Sequence, residues 1–290
     1  MKQTRGEKIF QCFDIFIILL IITAVIFPLL NIFAISVSDA SSIVNGKVAL
    51  WPKGFNTAAY SKILSNNHFI RAMLNTILIT VTSTFLSVLL SLMTAYGFTK
   101  EFLGKKFITY LYVLTMYFSG GLIPTYVVYT KYLHLRNNFL VLILPGLVSM
   151  FYIIIVRSQI ESLPLSVLES AYIDGATEFQ TAFKIVLPMI SPTLAAIAMF
   201  TALGNWNIWF QVMIYTDYPK FWTLQYYLRT IVFGQFLAAN EFITEAAGEF
   251  IPEENYRMAA IIIVAAPIVC IYPFVQKYFV KGIISGSVKG

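Results

Sequence analysis

The residues in this sequence that could bind a small molecule are mainly neutral amides and indoles. Four of them lie close together, and they are Asn205, Trp206, Asn207 and Trp209. Amides exchange hydrogen bonds with hydroxyl groups and an indole face stacks on a sugar ring, so this group favours a hydroxyl-rich ligand. Two other roles stay open. The asparagines could complete the backbone bonding of a broken helix or bind a partner helix, and Trp209 could lie at a membrane interface.

Groups that would indicate catalysis or metal binding are missing from the sequence. The string GKK at residues 104–106 is the nearest approach to a phosphate-binding loop, but it lacks the first glycine and the final hydroxyl of G-x-x-x-x-G-K-[ST]. Cys12 and Cys270 form no C-x-x-C pair, and His68 and His134 are far apart in the sequence. We therefore predict no catalytic residue, no metal site and no cofactor bound by this chain.

The elements that position these residues must lie in a membrane. Of the 290 residues, 58% are hydrophobic and 12% are charged, whereas soluble domains carry about 25% charged residues. A helix needs about 20 apolar residues to cross a bilayer. Six windows of 19 or more residues contain no Asp, Glu, Lys or Arg. They are Ile15–Ser38, Ala72–Thr99, Phe107–Thr130, Asn137–Val156, Ile185–Thr216 and Met258–Gln276. The sequence therefore predicts an all-α, polytopic membrane protein with six transmembrane helices, in a single domain over residues 1–290.

An even number of spans places both chain termini on one side of the membrane. Lys and Arg are somewhat more frequent at the span ends that would be cytoplasmic if the termini are cytoplasmic, as the positive-inside rule requires. We therefore predict that both termini are cytoplasmic. The formal net charge of +6 fits loops beside the anionic lipids of a bilayer and requires no nucleic-acid partner.

Two connections are long enough to fold on their own, residues 157–188 inside and 217–257 outside. In the inner one, apolar or small residues at helical spacing predict a buried stripe of Leu165, Leu168, Tyr172, Gly175, Phe179 and Phe183. Because glycine readily adopts a left-handed turn, Asp174–Ala176 predicts a corner between two short cytoplasmic helices. The hairpin carries three acids, Glu169, Asp174 and Glu178. A solvated amphipathic loop without a partner would explain the same pattern.

The spacing within this hairpin resembles a known motif. Glu169-Ser170-Ala171, three residues, Gly175, nine residues, Ile185, one residue and Leu187-Pro188 match the EAA motif of ABC-importer permeases, E-A-A-x3-G-x9-I-x-L-P. Ser170 occupies the second position of the motif, where the pattern has its first alanine, which is a change between small residues. The flanking Asp174-Gly175-Ala176 and Pro192 resemble the carbohydrate branch of that family. The whole chain resembles the second permease subunit of maltose-type importers, within the subgroup for oligosaccharide and polysaccharide-fragment uptake.

The resemblance implies a function and a set of partners. The chain would be the transmembrane subunit of a binding-protein-dependent importer in a bacterial plasma membrane, forming half of the path of an oligosaccharide. Its partners would be a second, different permease subunit, two ATPase subunits that hold ATP and Mg²⁺, and an extracytoplasmic sugar-binding protein. The residues that would couple it to the ATPase are Glu169, Ser170, Ala171, Asp174, Gly175 and Ala176.

The resemblance also implies that the C-terminal tail touches the ATPase pair. The tail ends in Gly286, Ser287, Val288, Lys289 and Gly290. The glycines and serines from Lys281 onward favour an extended segment over a helix.

Two alternative functions stay open. A passive channel or an ion-coupled secondary carrier would also have six spans, although the six windows lack the ionisable residues that such carriers place in the membrane. An ABC importer for a non-sugar solute would share the same motif.

Two other segments carry predictions of their own. Residues 117–121 with Pro124 predict a break in the third span, and a packing kink is the alternative. In the outer loop, Trp222, Tyr226 and Tyr227 are expected at the membrane interface, and the glutamates between Glu241 and Glu254 are expected to be exposed. We predict that this loop engages the sugar-binding protein. A solvated linker is the alternative.

Overall fold

The structure is a computed structural model that describes residues 5–233 and 251–287, with side chains except at residues 5, 7–9, 272 and 274–287. Within these ranges there is no strand beyond an isolated antiparallel bridge between Ser38 and Phe55. The α-helices are α1 Arg5–Ser36, α2 Ala40–Val44, α3 Ala58–Leu64, α4 Asn67–Thr99, α5 Lys105–Tyr117, α6 Leu122–Val127, α7 Leu140–Ile143, α8 Met150–Glu161, α9 Leu165–Ile173, α10 Glu178–Gln180, α11 Leu187–Met189, α12 Ser191–Trp206, α13 Phe210–Tyr215, α14 Leu224–Val232 and α15 Glu253–Ser287. Shorter π-helical and 3-10 turns are Val128–Tyr132, Leu144–Gly146, Thr181–Val186 and Pro219–Phe221.

Three helices are long and apolar enough to cross a bilayer unaided, over Phe10–Ser36, Asn67–Thr99 and Glu253–Ile271. Three further spans each consist of two helical pieces that meet at a bend. These are Lys105–Tyr117 with Leu122–Tyr132 at 113°, Leu140–Gly146 with Met150–Glu161 at 47°, and Glu178–Met189 with Ser191–Trp206 at 83°. With each bent pair counted as one span, the predicted all-α fold with six apolar spans is confirmed by length and composition.

The third span breaks where the sequence predicts it. Helix α5 ends at Tyr117, and α6 begins at Leu122 after Gly121, whose φ is +83°. Glycine adopts positive φ without the steric penalty of a side chain. The bend of 113° separates two distinct helices and is not a kink within one.

The described residues group into two compact units. The first comprises the described residues of Met1–Phe69 and Leu228–Pro267, and the second those of Ile70–Tyr227 and Ile268–Gly290. The prediction of one membrane domain over residues 1–290 stays a prediction.

In the first unit, hydrogen bonds hold the end of α1 to the start of α15. The amide of Asn255, buried in the first turn of α15, donates to the carbonyl oxygen of Ile35 at 2.7 Å.

Asp39 caps α2, and hydrogen bonds from Ser41 and Ser42 lower the pKa of Asp39 to about 2. No residue in the most apolar window of α1 is buried within the chain, as expected of a helix that faces lipid.

The second unit contains two apolar clusters. One joins α4, α8 and the residues that lead into α12, and its members include Leu92, Ala95, Met150, Ile153, Val156, Val186, Ile190 and Ile197. The other joins α4, α7 and α13, and it contains Ile79, Val141, Leu142, Ile143, Leu147, Ile208, Val212 and Tyr215. Because lipid tails are as apolar as leucine, such clusters stabilise the fold through van der Waals packing rather than through transfer from water.

The C-terminal tail differs from its prediction. Helix α15 continues through Ser287, so the expectation of an extended tail is wrong for residues 281–287. Adding residues to an existing helix requires no new nucleus, and a glycine costs only about 1 kcal/mol. Gly286 and Ser287 are the last residues of α15. Val288, Lys289 and Gly290 lie outside the described residues.

The first part of the outer loop is folded. Tyr227 has 0% of its surface exposed, so it packs inside the protein and does not anchor the loop through contact with lipid, as the sequence had suggested. Helix α14 is amphipathic, and its apolar face, which includes Leu224 and Tyr227, is buried in the protein. Trp222 and Tyr226 are half-buried and pack against the cluster around Val141. The glutamates Glu241, Glu245 and Glu249 lie outside the described residues, and Glu253 and Glu254 begin α15.

Candidate functional site

The predicted corner forms at Gly175. Helix α9 ends with Asp174 as its C-cap, and Gly175 follows with φ +76°. The backbone N–H of Gly175 donates to the carbonyl oxygen of Tyr172, and that of Ala176 donates to the carbonyl oxygen of Ala171, both at 3.0 Å. This pair of bonds is the Schellman motif, which completes the last carbonyls of a helix and needs a left-handed residue.

The next helix, α10, begins at Glu178, shortly after the corner. Thr177 is its N-cap, and its hydroxyl accepts a hydrogen bond from the backbone N–H of Gln180 at 3.3 Å. The Gln180 side chain in turn accepts one from the backbone N–H of Thr177 at 2.9 Å. A capping box thus follows a Schellman motif directly, so both helix ends at the corner are satisfied by local bonds. The corner is therefore fixed by residues 171–180 themselves.

The coupling residues named from the motif occupy this corner. Ala171 is buried and Ala176 half-buried, whereas Glu169, Ser170, Asp174 and Gly175 are exposed. Glu169 forms no ion pair with any residue that the structure describes. Its carboxylate is therefore available to a partner protein.

The predicted buried stripe is wrong in part. Leu168 and Phe183 pack against the cluster around Ile153, as expected. Leu165 is 72% exposed and Phe179 is 66% exposed. The left-handed residue at the corner ends the helical periodicity, so one stripe cannot continue from α9 into α10. The corner instead presents apolar side chains next to its acids, including Ile173.

Four polar side chains meet beside the corner, and the sequence did not identify them as a group. They are Tyr96 in the last turn of α4, Lys100 just after it, Tyr172 on α9 and Glu178 at the start of α10. The Glu178 carboxylate accepts a hydrogen bond from the Tyr96 hydroxyl at 2.5 Å and pairs with the Lys100 ammonium at 2.9 Å. The Tyr172 hydroxyl lies 3.1 Å from the same carboxylate oxygen and also bonds Lys100. No spacing rule in the sequence connects residues near 100 with residues near 178. The available signal was the opposite charge of Lys100 and Glu178, each of which lies beside a predicted helix end.

The charge of Lys100 is stabilised by these neighbours. Its ammonium lies 4.7 Å from the centre of the Tyr96 ring and 4.8 Å from that of Tyr172. Partial burial alone would lower the pKa of Lys100, but its hydrogen bonds with Tyr172 and Glu178 outweigh that effect and raise the pKa above the usual value.

The candidate ligand-binding residues lie where the fifth span ends and the short helix α13 follows. Helix α12 ends at Trp206 and α13 begins at Phe210, which leaves three non-helical residues between them. The side-chain amide of Asn205 donates to the carbonyl oxygen of Thr201, and that of Asn207 to the carbonyl oxygen of Leu203, both at 2.8 Å. Both asparagines therefore bond the backbone near a helix end, which is one of the alternatives that the sequence left open.

A cavity opens at this break. It has a volume of about 380 Å³, and Asn205, Asn207 and Trp209 line it together with Tyr152 and Gln211. Among the residues that the structure describes, its lining contains amides, a phenol and an indole but no charged side chain. Such a surface can exchange hydrogen bonds with a neutral, hydroxyl-rich ligand.

Trp206 does not line this cavity. It is 8% exposed and borders a separate apolar cavity of about 120 Å³ with Thr80, Ala202 and Ile271. Residues at adjacent positions on a helix point in different directions. The structure thus brings together three of the four named side chains.

A polar clasp fixes the segment after α13. The Arg136 guanidinium donates to Asp217 at 2.8 Å, and the side-chain amide of Asn137 donates to the other oxygen of that carboxylate at 2.9 Å. The hydrogen bonds from Arg136 and Asn137 lower the pKa of Asp217. The backbone N–H of Asp217 donates to the side chain of Asn137 at 2.7 Å, which closes the clasp.

The chain is similar to known transport proteins over nearly its whole length. Residues 54–285 match the family described as binding-protein-dependent transport system inner membrane component. The chain is 35% identical over 266 residues to the polygalacturonan/rhamnogalacturonan transport system permease protein YtcP of Bacillus subtilis (strain 168), covering 91% of this chain and 93% of that protein. It is 34% identical over 292 residues to protein LplC of the same organism, covering 100% of this chain and 98% of that one.

A solved structure has the same fold. Its TM-score with this chain is 0.88 at 27% sequence identity, and the match covers 96% of this chain and 99% of the other. That chain belongs to the crystal structure of a bacterial ABC transporter involved in the import of the acidic polysaccharide alginate.

Proposed function

Because this chain belongs to the family of binding-protein-dependent transport system inner membrane components, we propose that it is the permease subunit of an ABC importer for an oligosaccharide. It forms half of the translocation path and couples that path to a separate ATPase. The observation that carries the proposal is the corner at Gly175, a locally fixed turn between α9 and α10 that presents the Glu169 carboxylate, which has no ion-pair partner among the described residues.

The corner supplies what coupling to an ATPase requires. The sequence has no phosphate-binding loop, so the energy of ATP hydrolysis must arrive through a contact with another protein. Glu169 offers a carboxylate for an arginine of that protein, a pairing that is both charge-assisted and geometrically specific. Ser170, Asp174 and Gly175 are exposed and complete the surface, while Ala171 is buried beneath it. Ala176 is half-buried, and its small side chain lets a helix of the partner approach closely.

The cavity at the α12–α13 break supports a sugar as cargo. Asn205 and Asn207 provide amides, and Trp209 provides an aromatic face for a sugar ring. The proteins that resemble this chain are named for polygalacturonan, rhamnogalacturonan and alginate transport, and all three are polysaccharides. Since the described part of the cavity lining carries no charged side chain, recognition of an acidic sugar would fall to the partner subunits.

The proposed assembly contains this chain, a second and different permease, two ATPase subunits and an extracytoplasmic sugar-binding protein. It lies in the plasma membrane of a bacterium with both termini of this chain in the cytoplasm. ATP and Mg²⁺ bind to the ATPase subunits, so this chain binds no cofactor and catalyses no reaction.

Purification and reconstitution of the complex test the proposal. The tagged chain should retain an ATPase and a second permease through purification. In proteoliposomes, sugar-loaded binding protein should stimulate ATP hydrolysis and drive uptake. A passive channel or an ion-coupled carrier would retain no ATPase, and its flux would not depend on ATP.

Substitution at the corner identifies the coupling residue. Glu169→Ala should leave membrane insertion normal and abolish either ATPase retention or its stimulation. Glu101→Ala is the matched control, because Glu101 is 90% exposed and bonds only its neighbour Lys105 among the described residues. Unimpaired uptake in Glu169→Ala would overturn the coupling assignment.

A further inference from the structure

The cluster of Tyr96, Lys100, Tyr172 and Glu178, here called the α4 joint, links parts of the chain that are far apart in sequence. Tyr96 and Lys100 belong to the end of α4, whereas Tyr172 and Glu178 lie on either side of Gly175. Covalently, the corner connects only α8 with α12. The α4 joint therefore adds a third helix to those that the corner holds.

One carboxylate organises the joint. Glu178 receives the Tyr96 hydroxyl at 2.5 Å, the Lys100 ammonium at 2.9 Å and the Tyr172 hydroxyl at 3.1 Å. Tyr172 precedes the corner and Glu178 follows it, so both of its arms are bonded to the same end of α4. Hydrogen bonds to an ionised group are shorter and stronger than neutral ones, and three of them fix the carboxylate in position.

The exposed ion pair between Lys100 and Glu178 would by itself stabilise the contact between α4 and the corner only weakly. The side chain of Glu178 is 60% exposed and that of Lys100 is 36% exposed, and surface pairs of this kind contribute weakly. Tyr96 changes this, because it is 8% exposed and packs within the cluster around Ile153. Its hydroxyl is therefore held by the core of the unit, and the carboxylate it bonds is held relative to that core.

Helix α4 is suited to carry a displacement across the membrane. It is continuous over 33 residues, which at 1.5 Å per residue corresponds to about 50 Å. A continuous helix of this length transmits movement of one end to the other more directly than a span broken by a bend. The spans joined covalently to the corner are both bent pairs, at 47° and 83°.

We infer that the α4 joint is a second transmission contact, through which movement of the corner displaces α4 together with the spans on either side of the corner. The inference rests on the proposed coupling function. Tyr96, Lys100 and Glu178 act as positioning residues, because they bind neither the cargo nor the nucleotide.

Kinetic coupling provides the first test. In the reconstituted complex, Glu178→Gln and Tyr96→Phe should each lower stimulation of ATP hydrolysis by loaded binding protein about tenfold, equivalent to ~1.4 kcal/mol. The complex should still assemble and hydrolyse ATP at the basal rate. The double variant should lose less than the sum of the two single losses, because both changes weaken bonds to the same side chain. Lys100→Arg keeps a charged donor and should retain most of the stimulation.

Matched controls separate the joint from general effects. Glu101→Gln removes a nearby carboxylate that contacts Lys105 and not the corner. Tyr112→Phe removes a hydroxyl from a tyrosine whose ring packs on Phe98. Both controls should behave as wild type. Wild-type stimulation in Glu178→Gln and Tyr96→Phe would overturn the inference.

A distance measurement tests the joint without relying on transport. Spin labels at Met93→Cys on α4 and Ser166→Cys on α9, both exposed positions, are introduced after Cys12→Ser and Cys270→Ser. With Glu178 present, the distance distribution should be narrow and the same in nucleotide-free and nucleotide-trapped complexes. It should broaden in Glu178→Gln, and an equally narrow distribution there would overturn the joint. If no ATPase accompanies the wild-type chain, the proposed function fails, and the comparison in the purified chain alone still decides on the joint.

Discussion

At the scale of single residues, Gly175 determines the shape of the corner. Its φ is +76°, and a Cβ atom built there would meet no other atom within 4 Å. Space around the residue is therefore not the constraint. An L-residue in this conformation is disfavoured by its own backbone, by about 1–2 kcal/mol, so the glycine is required for conformation alone.

A pair of substitutions tests this explanation. Gly175→Ala should weaken the corner by about 1–2 kcal/mol and lower stimulated ATP hydrolysis, because alanine resists positive φ. Gly175→Asn should retain more of the stimulation, since asparagine tolerates the left-handed region. Stimulated hydrolysis in proteoliposomes measures the difference. Equal losses in the two variants would indicate a requirement for the absence of any side chain instead.

Also at this scale, the clasp of Arg136, Asn137 and Asp217 should make stability depend on pH. The bonds to Asp217 lower its pKa below the usual aspartate value of about 3.9. A lowered carboxyl pKa stabilises the folded state fully above the unfolded-state value, and this contribution is lost as pH falls through the folded-state value.

We therefore expect Asp217→Asn to lower the thermal midpoint of the purified protein slightly at pH 7. The difference from wild type should vanish as the pH falls below about 4. Glu169→Gln is the control, because Glu169 has no ion-pair partner among the described residues. If the thermal midpoints of wild type and Asp217→Asn differed by the same amount at pH 7 and below about pH 4, the clasp would not be the source of the pH dependence.

At the scale of elements, the spans differ in how they are built. Helices α1, α4 and α15 each contain a continuous apolar span, whereas the other three spans are bent pairs. The bends coincide with the features assigned to function, since one pair leads into the corner and another leaves it. The break after Trp206 gives the cavity its amides, because a helix end leaves backbone groups that side chains can reach.

The end of α15 is the element for which a truncation is most informative. Deleting residues 283–290 removes the last part of the helix and the three residues beyond it. If the tail contacts the ATPase pair, the truncated chain should insert normally but retain less ATPase through purification, with lower turnover. Wild-type yield and turnover of the complex would exclude the contact.

At the scale of the whole molecule, the proposed import requires a contact with the binding protein on the side opposite to the proposed ATPase. The connection 217–257 is the longest of the predicted outer connections, and its beginning is fixed by the clasp and by buried α14 residues. An anchored base suits a segment that must receive force from a partner. A free linker would need no such base.

Shortening residues 240–252 with a flexible linker tests this role. Uptake from the loaded binding protein should fall, while basal ATP hydrolysis by the complex should persist because the corner is unchanged. A second variant, in which a flexible linker of equal length replaces the same residues, shows whether uptake depends on the sequence of the loop or on its length. Unchanged uptake in the shortened chain would assign the loop to connection only.

The sequence by itself determined the features that depend on local properties. The absence of charge over six windows predicted the apolar spans, because a bilayer selects for hydropathy residue by residue. The positions of Gly175 and Gly121 predicted a corner and a break, since positive φ is a property of one residue. The motif around Glu169 likewise depends on spacing within a single segment.

Only the tertiary structure decided which side chains meet. Tyr96 and Glu178 are 82 positions apart, and their contact depends on the packing of α4 against the corner. The burial of Tyr227, the exposure of Leu165 and the separation of Trp206 from the cavity follow from the same kind of packing. Periodicity shows that a helix has an apolar face but not which neighbour covers it, because that choice depends on contacts between residues far apart in the chain.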